Sequence, residues 1–133
     1  MFRKAHYENP KSAILNFYLA LAFQQNREMG QAMKYLKKAE DLDNMNPMIK
    51  YQKALFLINS KKEDDALLIL LELNEKMPKE APIHILIGRI YKIKKEYTKA
   101  LSHFNAAIDI DPKDSNFAKS LIEKLYSDME DIS

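Results

Sequence analysis

The chain contains no cysteine and only two glycines, Gly30 and Gly88. Without cysteine there is no disulfide framework, no thiolate nucleophile and no cysteine-ligated zinc site, which fits an intracellular chain. Two glycines so far apart leave no glycine-rich loop to cradle a phosphate. No apolar run approaches the roughly 20 residues of a membrane span, and stretches such as Ala66 to Leu71 fall far short. The opening Met1-Phe2-Arg3-Lys4 has no apolar stretch behind it and does not read as a secretory leader. A dominant charge of one sign is missing too: 21 basic against 19 acidic residues give a net charge of +2. Nucleic-acid modules gather Lys and Arg on one face and exceed a pI of about 9. Here the pI is near 8.6 and the signs alternate, as in Lys37-Lys38-Ala39-Glu40-Asp41 and Lys61-Lys62-Glu63-Asp64-Asp65. These stretches read as solvated surface, so neither nucleic acid nor a membrane is expected as a partner.

What the chain does have is helix-forming composition and a repeat. It has 133 residues, 47% of them hydrophobic and 30% charged, which is ordinary for one soluble domain. Shifted by 34, it superposes on itself without a gap. Ala20, Ala54 and Gly88 share a column, as do Ala32, Ala66 and Ala100. Bulky residues form two more columns: Phe23, Leu57 and Tyr91, then Leu36, Leu70 and Phe104, the latter extended backwards by Phe2. Ala39, Leu73 and Ala107 align, preceded by Ala5, and Pro10, Asn44, Pro78 and Pro112 close the series.

Each column has a physical reading. A repeat is two antiparallel helices, A and B, and the small residues early in B and midway along A let the two approach closely. The bulky columns fill the space that remains. Proline follows helix B because it cannot continue a helix and restricts the residue before it. Where Asn44 replaces it, Pro47 arrives three residues later and can open the next helix. A fixed period of this kind marks a solenoid, and 34 is the period of tetratricopeptide repeats, which this chain resembles. The expected fold is therefore all-α: a tetratricopeptide repeat solenoid, a right-handed superhelix of antiparallel helix pairs, with a C-terminal capping helix.

The repeats fall at 13–46, 47–80 and 81–114, with helices near 13–26, 29–42, 47–59, 63–76, 81–94 and 97–110. Short polar turns centre on Arg27-Glu28, Lys61-Lys62 and Lys95-Glu96. Residues 1–12 carry the spacing of the second half of a helix B, so the chain is expected to begin inside an upstream repeat. Asp114 or Ser115 can cap a last helix, in which Phe117, Leu121, Ile122 and Leu125 recur at helical spacing among polar residues. Such an amphipathic helix over 115–127 suits a solenoid terminus, followed by a frayed acidic tail at 128–133.

Catalytic chemistry is not in evidence. His6, His84 and His103 have no metal-ligand spacing, and no nucleophile, base and oxyanion set assembles. His84 reads as a packed wall residue and His103 as an exposed one. Glu63-Asp64-Asp65 suits the dipole of a helix start. The seven methionines read as gap fillers. No enzyme activity, cofactor or metal is expected.

Binding is expected on helix A, whose repeat positions 2, 5, 9 and 12 turn toward the concave face of such a superhelix. In the first repeat these are Ile14, Phe17, Leu21 and Gln24, and in the second Met48, Tyr51, Leu55 and Ile58. In the third they are Pro82, Ile85, Arg89 and Lys92. The apolar members either touch only neighbouring repeats or form a leftover apolar strip, which is a candidate partner site. Arg89 and Lys92, one turn apart, could together hold a carboxylate such as a peptide C-terminus. The chaperone-tail type of tetratricopeptide domain carries a lysine and an asparagine where Phe17 and Leu21 stand here, which argues against recognition of heat-shock chaperone tails.

One stretch is more specific. Asn46, Pro47, Lys50, Tyr51, Lys53 and Ala54 put basic residues at two columns that are normally apolar. Then come Met77-Pro78-Lys79-Glu80, Leu86-Ile87-Gly88-Arg89-Ile90-Tyr91-Lys92 and Ile110-Asp111-Pro112-Lys113. Together these resemble the C-terminal repeats of the cell-division-cycle 27 family, the third subunits of the anaphase-promoting complex (cyclosome), most clearly over 46–126. The resemblance implies a scaffold segment of a nuclear ubiquitin ligase in the cell cycle. It implies as partners other protein subunits or C-terminal peptide tails ending in Ile-Arg. No acidic residue for the arginine of such a tail stands among the groove positions. Dimerisation in that family uses N-terminal repeats, so this segment is expected to be monomeric.

Overall fold

A computed structural model describes residues 12–132, and every described element is helical. Phe2, Ala5, His6 and Pro10, with the upstream half-helix read from them, lie outside the described residues. The chain divides into two compact units, with the boundary between Ser60 and Lys61.

The first unit holds α1 (Ser12–Gln25), α2 (Met29–Leu42) and α3 (Pro47–Asn59). α1 stops at Arg27, which adopts a left-handed φ of 62°. The Arg27 amide donates to the Gln24 carbonyl (3.0 Å) and the Glu28 amide to that of Phe23 (2.9 Å). This 5→2 and 6→1 pair satisfies carbonyls that the end of a helix leaves open. α1 then packs on α2 through Ala20 and Ala32, both fully buried. Around them Phe17, Leu36, Ala39, Ile49 and Phe56 complete one core, with Phe23 stacked on Tyr35 at its edge. α3 begins where its sequence says it should: Pro47 sits in the first turn and the Asn46 side chain accepts from the Met48 amide at 2.9 Å.

The second unit holds α4 (Glu63–Lys76), α5 (Ala81–Ile93), α6 (Tyr97–Ile110), a 3-10 turn (Pro112–Asp114) and α7 (Asn116–Ile132). Three carboxylates open α4 and Lys76 closes it, each on the favourable end of the helix dipole. α5 and α6 repeat the construction of α1 and α2. Lys95 takes φ 64°, its amide donates to Lys92 and the Glu96 amide to Tyr91. Gly88 meets the ring of Phe104, itself completely buried. α7 covers α6 with Leu121 and Leu125.

The observed helices agree with the 34-residue reading to about one residue at each end. The end of the chain differs. Phe117, expected on the apolar face of the last helix, is 57% exposed, and Ala118 takes the buried place. Ser115 stands at the N-cap, its carbonyl accepting from the Lys119 amide, but its hydroxyl donates back to the Pro112 carbonyl at 2.8 Å. The last helix extends to Ile132, beyond the 115–127 expected of the capping helix. Within that extension Asp128 forms an ion pair with Lys92 on α5 at 3.1 Å.

Candidate functional site

The expected groove residues separate into two sets, one in each unit. In the first unit, Leu21 and Gln24 of α1 and Tyr51, Leu55 and Ile58 of α3 are half-buried, while Ile14 and Met48 are exposed. Gln24 and Gln52 join α1 to α3 directly: the Gln52 amide donates to Gln24 Oε1 at 3.0 Å. Phe17 corrects the expectation. It is only 4% exposed and belongs to the core with Ala20, Leu36, Ile49 and Phe56. A phenylalanine at that position is long enough to fill the space between three helices, so it is spent on stability rather than offered to a partner.

Lys53 also finds its explanation here. Its Nζ donates to both carboxylate oxygens of Glu40 on α2, at 2.9 and 3.2 Å. A basic residue in a column that is normally apolar thus has its counter-charge on the preceding helix. Met33, Leu36, Lys37, Glu40 and Lys53 line a cavity of about 230 Å³.

In the second unit, Ile85 is half-buried against the core that contains Phe104 and Leu125. Arg89 is exposed and has no ion-pair partner among the described residues. Lys92 is different: its side chain is 25% exposed and its charge is met by Asp128. The basic end of the α5 face is therefore one open cation beside one that is already paired. Asp128 was invisible as a site residue because it stands on another helix, in a stretch that reads as tail. Just past the end of α5, Lys94 pairs with Asp64 of α4. The hydrogen bond and the charge of Asp64 raise the Lys94 pKa above its ordinary value.

The two described histidines form a pair. His84 Nε2 lies 2.9 Å from the Pro78 carbonyl, so that nitrogen must donate. Its Nδ1 lies 3.0 Å from Nδ1 of His103, and in the neutral pair His103 is the donor. His84 is buried, as expected of a wall residue, but His103 is half-buried and not exposed, with Tyr91 stacked on its ring. Burial first, and then the proximity of His84, lower the His103 pKa. Among the described residues no group of three His, Cys, Asp or Glu could hold a metal ion.

Comparison with known proteins places these features in context. The tetratricopeptide repeat family model matches residues 81–114, which hold α5 and α6. The chain is 39% identical over 129 residues to anaphase-promoting complex subunit 3 of Dictyostelium discoideum, covering 96% of this chain and 13% of that protein. It is 34% identical over 111 residues to cell division cycle protein 27 homolog A of Arabidopsis thaliana, covering 84% of this chain and 16% of that protein. The chain thus spans less than a fifth of the length of these curated relatives. Among solved structures, the first TPR of Spaghetti (RPAP3), bound to the HSP90 peptide SRMEEVD, superposes with a TM-score of 0.80 at 13% identity. That match covers 92% of this chain and 96% of the other, and at this identity it speaks for the fold alone.

Proposed function

We propose that this chain, a tetratricopeptide repeat segment homologous over most of its length to anaphase-promoting complex subunit 3 proteins, is a non-enzymatic scaffold segment of that ubiquitin ligase. Its work is to bind other proteins, either neighbouring subunits or the C-terminal tails of co-activators, in the nucleus or cytoplasm. The observation that carries this reading is the 39% identity across nearly the whole chain, which is far beyond what a shared helical period requires.

The binding elements are Leu21, Gln24, Tyr51, Leu55 and Ile58 in the first unit and Ile85, Arg89 and Lys92 in the second. Within the first unit the half-buried aliphatic and aromatic residues offer apolar contact; within the second, Arg89 and Lys92, beside Ile85, offer charge for a carboxylate. The test is titration of the chain with a peptide ending in Ile-Arg, beside its C-terminally amidated form and an acidic chaperone-tail peptide. The free-acid Ile-Arg peptide should bind best. Reversing the charge of Arg89 and Lys92 should weaken it by about 1–3 kcal/mol, the scale of charged hydrogen bonds. A preference for the acidic tail, or indifference to the charge reversal, would overturn the assignment.

A further inference from the structure

The paired state of Lys92 bears on that same site. Resting on the reading of Arg89 and Lys92 as a carboxylate clamp, we infer that Asp128 on α7 is an internal competitor for it. Its own carboxylate occupies the place that a peptide carboxylate would take.

Three observations lead there. Lys92 Nζ is 3.1 Å from Asp128 Oδ2, within the range of a charge-assisted contact to any carboxylate. Arg89, the other cation on that face, is exposed and has no ion-pair partner among the described residues. And Asp128 lies beyond Leu121 and Leu125, through which α7 packs on α6, so exchange of its carboxylate on Lys92 does not require that core to open.

The consequence is a graded gate. With Asp128 in place, the clamp presents two positive charges and one negative, so an incoming carboxylate must displace Asp128 from Lys92 or bind through Arg89 alone. Once displaced, Asp128 repels the ligand that replaced it. The contact therefore sets a threshold: a chain end with enough apolar contact elsewhere exchanges with Asp128, while a small carboxylate does not. Both side chains are partly exposed, so the competition is modest and screened by salt.

The experiment compares the wild-type chain, Asp128→Asn, Asp128→Ala, Lys92→Met and the double variant Lys92→Met/Asp128→Asn. Each is titrated with the free-acid and amidated Ile-Arg peptides at low and high salt, with thermal melts to show that each is folded. Asp128→Asn keeps the shape of the side chain and should tighten the free-acid peptide by about two- to five-fold, the scale of an exposed ion pair. Asp128→Ala should do the same. The gain should shrink at high salt, be absent for the amidated peptide, and vanish in the Lys92→Met background. If wild type prefers the free acid but Asp128→Asn and Asp128→Ala bind it no better, Asp128 is not a competitor, and the clamp stands without a gate. If no variant discriminates free acid from amide, the clamp and the gate fall together. Free-acid binding that appears only in the Asp128 variants supports the gate in its strongest form.

Discussion

Replacing Gly88 by alanine tests the close packing of α5 on α6 more sharply than any deletion. The position is helical with an ordinary φ, so alanine is favoured there by local propensity, by about 1 kcal/mol. Against this, a Cβ would stand 2.5 Å from Phe104 Cε1 and 2.7 Å from Cδ1, with Cζ at 3.1 Å. Carbon atoms pack at roughly 3.5–4.0 Å, so the ring would have to retreat by about an ångström. It has nowhere to go, being completely buried beside Ala100, Leu121 and Leu125. Overpacking of this kind costs about 1–3 kcal/mol, and a contact this short belongs at the top of that range. The net expectation is a loss of about 2 kcal/mol, read as a lower urea midpoint in far-ultraviolet circular dichroism. The companion is Phe104→Ala, which removes Cδ1, Cε1 and Cζ at a larger cost of its own. In that background Gly88→Ala should become neutral or stabilising, because only propensity remains. A Gly88→Ala protein as stable as wild type, or one that loses the same amount in both backgrounds, would refute the role of glycine as a spacer for Phe104.

Two further predictions concern the turns and pH. Arg27, Lys61 and Lys95 hold left-handed φ values of 62–64° at successive repeat turns. That conformation costs a side chain about 1–2 kcal/mol, so Lys95→Gly should raise stability by up to about 1 kcal/mol once the greater freedom of unfolded glycine is subtracted; a lower melting temperature would contradict the assigned turn. The depressed His103 pKa means that the unfolded chain takes up protons at a pH where the folded chain resists them. Its stabilising effect is therefore whole above the unfolded value of 6.5, falls as pH drops below it, and levels off beneath the folded value. Urea unfolding between pH 8 and about 5.5 should show this decline in wild type and less of it in His103→Asn, and equal slopes would dismiss the histidine pair as its source.

The fold was legible because close approach leaves a mark in sequence. Ala20, Ala32, Ala54, Ala66 and Ala100 are all fully buried, and each stands where the 34-residue register placed a small residue. Helix ends were legible wherever proline or asparagine punctuates, as at Asn46-Pro47. The left-handed turns left no such mark, since lysine and arginine occupy them where glycine would have signalled the conformation.

The site was less legible, and for one physical reason. A register tells which face of a helix a residue shares, but partners are chosen across helices by geometry that has no period. Gln24 meets Gln52, Lys53 meets Glu40, His84 meets His103 and Lys92 meets Asp128, and none of these pairs stands at the repeat spacing. Phe17 shows the same limit from the apolar side: its column faces the groove, yet its length carries it into the core. The columns alone therefore give the binding face too much apolar area, at Phe17. They give it too much positive charge as well, because Lys92 already has a counter-ion. Both differences run the same way: each unit offers less to a partner than its columns suggest. Under the proposed function, apolar affinity in the first unit would rest on the half-buried Leu21, Tyr51, Leu55 and Ile58, and charge in the second on the open Arg89.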